Sequence, residues 1–167
     1  MKRLLSTLLL GGLMLVPVGL AACGGSSGSS NGGSSGGGST APASSATVST
    51  KKEPGYGTVL VNSSGQALYL LSNDPASGSK CTGSCATAWP PLAAGGKPTA
   101  GPGADASLLA TFKRSDGKTQ VLYDKHALYT YAHGGLVSGE GVASNGGIFY
   151  LVAPDGKPVT KTTTGGY

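Results

Sequence analysis

The sequence predicts a small all-β domain, an antiparallel sandwich or barrel. Two observations carry that expectation. From residue 54 onward the apolar runs are short, β-branched or aromatic, and Gly, Pro, Asn and Asp punctuate them at close intervals with almost no helical period. All ten aromatic residues lie in the same stretch, which marks it as the packed part. Strands are expected at Thr58–Val61, Ala67–Leu71, Leu109–Lys113, Thr119–Tyr123, Ala127–Tyr131, Ile148–Val152 and, more weakly, Pro158–Thr162. Ser64-Gly65 separates the first pair, Asp116-Gly117 the third and fourth, and Asp155-Gly156 follows the sixth. Asp-Gly is a hairpin signal because Gly accepts the positive φ of a tight turn. Residues 72–108 and 132–147 read as long loops.

The strands carry an internal echo. Ala67-Leu68-Tyr69 recurs as Ala127-Leu128-Tyr129, sixty residues on. Before each lies a short apolar strand and a turn: Val59-Leu60-Val61 then Ser63-Ser64-Gly65, and Val121-Leu122-Tyr123 then Asp124-Lys125. This predicts two related hairpin units. Side-by-side packing of the units would bring Tyr69, Trp89, Tyr129 and Tyr131 together. Strand alternation puts Tyr129 and Tyr131 on one face, with Leu128 and Thr130 on the other. Such rings either build the core of the sheets or form a surface that stacks on sugar rings or a flat cofactor. A domain this small needs most of them inside. Asp74 stands before Pro75, where its carboxylate suits a turn.

The first fifty residues have another composition. Lys2 and Arg3 precede an apolar run from Leu4 to Val18, and Leu20-Ala21-Ala22-Cys23 follows. This is an export signal of residues 1–22, with Cys23 as the acylated first residue of the processed chain. Several acyl chains on one Cys make a lasting membrane anchor, at about 0.8 kcal/mol per buried methylene. Residues 23–53 are rich in Gly and Ser and poor in large apolar groups, and are expected to be a disordered tether with a mean reach of roughly 30 Å. Two G-x-S-x-G matches, Gly24–Gly28 and Gly32–Gly36, fall inside this repeat, where no strained strand-to-helix turn can form. The domain boundaries expected are therefore 1–22, 23–53 and 54–167. Processing removes two of the twelve Lys/Arg, leaving ten against seven Asp/Glu. That surplus is scattered, with Lys113-Arg114 the one basic pair of the folded part, so nucleic-acid binding is set aside.

Few residues are equipped for chemistry. Cys81 and Cys85 are the thiols left after acylation of Cys23. In an exported protein a disulfide is expected, closing a small loop worth about 2 kcal/mol. The alternatives are a redox pair, or a Cys₂His₂ metal site with His126 and His133, the two histidines. His126 also reads as a hairpin-turn residue and His133 as a loop residue. Asp116 and Asp155 belong to turns, and Asp74, Asp105, Asp124 and Glu140 show no pairing by spacing. No nucleophile–base pair, phosphate loop or dinucleotide fingerprint stands in the domain. Neither an enzyme nor a cofactor is expected.

Tyr69-Leu70-Leu71-Ser72-Asn73-Asp74, the Cys81–Cys85 loop, Ala88-Trp89-Pro90-Pro91-Leu92 and Leu128-Tyr129-Thr130-Tyr131 together resemble a family of bacterial lipoproteins. That family is marked by a Tyr-x-aromatic-x-x-Asp motif and described as a secreted repeat of unknown function. The resemblance spans about Gly55 to Val152. The first copy keeps Tyr69 and Asp74 but has Leu71 at the aromatic position; the second keeps Tyr129 and Tyr131 but has Gly134 at the Asp position. The expectation is a lipid-anchored cell-envelope protein, outside the cytoplasm, acting as a non-enzymatic binding or interaction module for an envelope protein or glycan. The alternative is a redox or metal-binding lipoprotein using Cys81, Cys85, His126 and His133.

Overall fold

The computed structural model describes residues 45–161 of the 167-residue chain. The expected export signal, Cys23 and the expected tether up to residue 44 lie outside the described residues. The fold is mostly β. Its strands are β1 (Thr47–Glu53), β2 (Gly57–Asn62), β3 (Tyr69–Leu71), β4 (Thr99–Ala100), β5 (Leu109–Lys113), β6 (Thr119–Tyr123), β7 (His126–Ala127), β8 (Ala143–Ser144), β9 (Gly147–Val152) and β10 (Pro158–Val159). One short helix, α1 (Ser84–Ala88), and a 3₁₀ turn at Ala106–Leu108 complete it. The strands form three small sheets, ordered β2-β1-β4, β10-β9-β3 with β8 beside β9, and β5-β6-β7. All strand pairs are antiparallel except β1 with β4.

The Asp-Gly signals place β5 and β6 at their expected bounds. At the Asp116-Gly117 turn, the Lys118 N–H donates to Asp116 Oδ1 at 3.0 Å. The next hairpin, β6–β7, turns on Asp124 and Lys125, both with positive φ (46° and 67°). His126 is the first residue of β7, just beyond that turn.

The folded part begins earlier than residue 54. Thr47–Glu53, expected in the tether, is a seven-residue strand paired with β2 from Val48 to Glu53. Its Val48 is fully buried. The segment shows little apolar content because most of its stabilisation is backbone pairing, to β2 on one side and β4 on the other. The two long loops also hold structure: α1, β4 and the 3₁₀ turn in 72–108, and β8 in 132–147. The strand expected over Ala127–Tyr131 is regular only at Ala127, the second residue of β7. Beyond it Tyr129 bridges to two different segments, Tyr69 and Pro91, which breaks a single ladder.

Both faces of the central strands are buried. Ala67, Tyr69, Leu71, Ala127 and Tyr129 face one apolar cluster with Trp89 and Phe149. Leu68, Leu70, Leu128, Val121 and Tyr123 face a second. Alternation along each strand sends neighbouring residues into different cores, which makes the architecture layered around the strands of the two echoed motifs.

Those motifs meet at one point. The Tyr69 N–H donates to the Tyr129 carbonyl and the Tyr129 N–H donates back to the Tyr69 carbonyl, each at 2.9 Å. Around this reciprocal pair the two sixty-residue repeats exchange strands. β3 of the first repeat pairs with β9 of the second, Tyr69 opposite Leu151 and Leu71 opposite Phe149. The matching segment of the first repeat, Pro90–Leu92, lies beside the second repeat. There the Leu92 N–H donates to the Leu128 carbonyl and the Thr130 N–H to the Pro90 carbonyl, both at 2.9 Å.

Candidate functional site

The motif aromatics converge at the centre of this exchange. Trp89 and Phe149 occupy equivalent places in the two repeats and stack on each other, with ring centroids 3.7 Å apart and planes 4° from parallel. Each also meets its own repeat's tyrosine edge-on: Tyr69 with Trp89 at 5.3 Å, and Tyr129 with Phe149 at 5.4 Å. Tyr131 covers the other face of Trp89 at 4.3 Å. Tyr69, Trp89, Tyr129 and Phe149 are at most 1 % exposed. Tyr131 is half-buried and carries His133 edge-on at 5.8 Å. Of the four aromatics singled out by sequence, three are core and Tyr131 forms the rim.

The two tyrosine hydroxyls leave the core in different directions, and each ends in a loop that follows the other repeat's Tyr. Tyr129 donates to Asp74 Oδ2 at 2.5 Å and lies 2.6 Å from Ser79 Oγ. Asp74 Oδ1 accepts the Lys80 N–H at 2.6 Å. The motif split between copies is thus completed across them, Tyr from the second and Asp from the first. Behind Ser79 stands Arg114, whose side chain is only 2 % exposed. Its guanidinium donates to Ser79 Oγ (3.1 Å), Gln120 Oε1 (2.5 Å), the Cys81 carbonyl (2.6 Å) and Asp116 Oδ2 (3.3 Å). Gln120, fully buried, passes the chain on to the Leu128 carbonyl at 2.8 Å. Burial pushes the Tyr129 hydroxyl far above its usual pKa, and the Asp74 carboxylate beside it adds to this. Burial also raises Asp74, against the Lys80 N–H and the Tyr129 hydroxyl, which favour its charged form.

Cys81 and Cys85 are joined in a disulfide that closes this corner, with Cys81 fully buried. Trp89 is tied to it through its backbone N–H, which donates to the Cys85 carbonyl at 2.7 Å. Both sulfurs are consumed, so the Cys₂His₂ alternative has no thiolates in this state. Among the described residues no group of three or more His, Cys, Asp or Glu is placed to hold a metal ion.

The equivalent corner around Tyr69 is built from backbone. The Tyr69 hydroxyl donates to the Leu136 carbonyl at 3.1 Å and accepts the Gly139 N–H at 3.2 Å. Burial pushes its pKa up to about 12, partly offset by the Gly139 N–H. Gly139 stands where Ser79 stands in the first repeat. A Cβ on it would lie 2.6–2.8 Å from the Trp89 ring, so only Gly lets this loop close over the Trp. Glu140, raised by burial, accepts the Leu151 N–H at 2.5 Å. Beside this loop opens a cavity of about 220 Å³ lined by Gln66, Ala67, Tyr69, Tyr131, Gly134, Gly135 and Leu136. Leu136 is 41 % exposed at its mouth.

Sequence reasoning missed Arg114, Gln120, Ser79 and Phe149. Phe149 was findable, since it lies sixty residues after Trp89. The other three carry no local signal, because an Arg at a hairpin end reads as solvated until its partners are known.

Residues 50–93 match the model of a lipoprotein family described as a secreted repeat of unknown function. The matched span ends just past Pro90–Leu92 and so corresponds to the first of the two repeats. No curated protein and no solved structure matches the chain.

Proposed function

We propose that this chain is an exported lipoprotein, held to a bacterial membrane through acylated Cys23, whose folded part is a non-enzymatic binding module. Its ligand surface is the cavity beside Tyr131 and Leu136, facing a glycan or protein of the cell envelope. One observation carries the reading. The polar side chains around the two buried tyrosines are bonded into the scaffold, while the second repeat keeps an aromatic rim and an exposed Leu beside an open cavity. Asp74, Tyr129, Ser79 and Arg114 bond to one another, and Glu140 bonds to backbone. A partly exposed Tyr face next to a small cavity suits the apolar face of a sugar ring or a short apolar side chain.

Trp89, the single Trp of the chain, stacks on Tyr131 and reports occupancy of the rim. Titration with soluble peptidoglycan and envelope-glycan fragments is expected to shift its fluorescence, and Tyr131→Ala to lower affinity at least roughly tenfold. A Tyr131→Ala protein that binds the same fragments with equal affinity removes the cavity as the ligand surface. The anchor is tested separately: fatty-acid label incorporated by the wild type and absent from Cys23→Ser is expected, and equal labelling overturns it.

A further inference from the structure

The cavity beside Leu136 has a counterpart at the other corner, and that counterpart is closed. By the sixty-residue echo, the space between Gln66-Ala67 and residues 134–136 corresponds to the space between His126-Ala127 and residues 74–76. There the chain bonds to itself: the Ser77 N–H donates to the Lys125 carbonyl at 2.8 Å. The group that closes the space is therefore an amide, the Ala76-Ser77 peptide, presenting its N–H to a carbonyl of the hairpin turn.

At the cavity that peptide is turned away. Both loops form the same β-turn, closed by the Gly78 N–H on the Pro75 carbonyl (3.0 Å) and by the Ser138 N–H on the Gly135 carbonyl (3.3 Å). The third residue of the turn differs. Ser77 has φ +59°, as a type II turn requires, whereas the β-branched Val137 lies outside the positive-φ region. The two forms differ by a flip of the central peptide. In the second loop this peptide gives its carbonyl to the Tyr69 hydroxyl at 3.1 Å, and no bond joins the Val137 N–H to the hairpin turn. Gly65 stands where Lys125 stands, both with positive φ (76° and 67°). Among the described residues the Gly65 carbonyl accepts no hydrogen bond.

A donor stands beside that acceptor. Asn62 Oδ1 accepts the Ser64 and Gln66 N–H groups, each at 3.0 Å, which turns Asn62 Nδ2 onto Gln66 Oε1 at 2.9 Å. The Gln66 amide is thereby fixed, and its Nε2 has no partner among the described residues. Gln66 and the half-buried Tyr131 both line the cavity. At the closed corner the place of Tyr131 is held by Leu71, which is buried. We propose that the cavity takes the acetamido group of an N-acetylated amino sugar, an amide in the place of the absent peptide. Its N–H donates to the Gly65 carbonyl as Ser77 does to Lys125. Its carbonyl accepts from Gln66 Nε2, and the sugar ring lies on Tyr131. This sugar is a narrower choice within the ligand surface proposed above, on which it rests.

Calorimetric titration of the full chain in detergent with the trisaccharides of N-acetylglucosamine and of glucose tests this. The two probes differ by acetamido against hydroxyl on each ring. The acetylated probe is expected to bind at least roughly tenfold more tightly. Gln66→Glu keeps one oxygen for Asn62 and puts a second where the donor stood. It is expected to weaken the acetylated probe at least roughly tenfold with the urea midpoint unchanged. Equal affinity for the two sugars overturns the proposal, as does undiminished binding by Gln66→Glu. Binding of neither sugar also overturns it; peptidoglycan fragments that still bind, and lose affinity in Tyr131→Ala, then leave the ligand surface standing. An acetylated dipeptide amide bound more tightly than the acetylated sugar overturns it in favour of a protein partner.

Discussion

The corner around Tyr129 and the corner around Tyr69 occupy equivalent places in the two repeats and are built by different means. Both begin with a buried tyrosine held by reciprocal backbone bonds. At Tyr129 the hydroxyl enters a network of side chains, Asp74, Ser79, Arg114 and Gln120, closed by a disulfide. At Tyr69 it meets only the backbone of a loop, and a cavity opens beside it. Duplication supplies two copies of one scaffold position. Side-chain bonds commit one copy to holding the fold, and backbone bonds leave the side chains of the other loop, Gly139 apart, to shape a surface.

The largest break of this contrast is expected at Arg114. Arg114→Met removes a buried cation and strands Ser79, Gln120 and the Cys81 carbonyl. A loss on the order of 3 kcal/mol or more in urea denaturation is expected. Next come the two hydroxyls, whose comparison sharpens the distinction directly. Tyr129→Phe leaves a half-buried carboxylate oxygen short of its donor and is expected to cost about 2 kcal/mol, whereas Tyr69→Phe gives up bonds to neutral backbone groups and should cost about 1 kcal/mol. Equal losses in the same denaturation assay would erase the difference between the corners. Gly139→Ala is expected to lift the Tyr69 loop from the Trp89 ring, costing roughly 1 kcal/mol, with a red shift of Trp fluorescence as the check.

The smallest effect is in pH. Burial holds the Asp74 carboxyl above its ordinary pKa, so the folded chain binds that proton more tightly than the unfolded chain. Stability from this group therefore rises as pH falls through the window between the two values. Asp74→Asn lacks the gain. The urea-midpoint difference, wild type minus Asp74→Asn, is expected to grow as pH is lowered from 7 to about 4. The turn carboxylates Asp105, Asp116 and Asp155, lowered by local hydrogen bonds, act in the opposite direction in both proteins and cancel in the difference.

The hairpin of β5 and β6 was legible to the residue, because its turn and its β-branched runs are local signals. The β1 strand was not: its pairing to β4 depends on a segment fifty residues away, and one buried Val is too little apolar content to mark it. The candidate site divides similarly. The sixty-residue echo foretold that Tyr69, Trp89, Tyr129 and Tyr131 meet. That Asp74 serves the tyrosine of the other copy was hidden, because strand exchange swaps partners between repeats that look self-sufficient in sequence. Arg114 was hidden for the same reason, its acceptors lying on the Cys81 loop and on β6.

Strand exchange also governs the order in which this chain can be completed. The Leu68 carbonyl waits for the Val152 N–H, and Tyr69 for Leu151, more than eighty residues downstream. On the proposed export route, a polypeptide threaded through a translocation pore N-terminus first therefore emerges as a first half with its central strand unfinished. Neither core closes until residue 152 has passed. The β1–β2 hairpin can pair early, but completion of the cores comes as one late step with the slow kinetics of distant pairings.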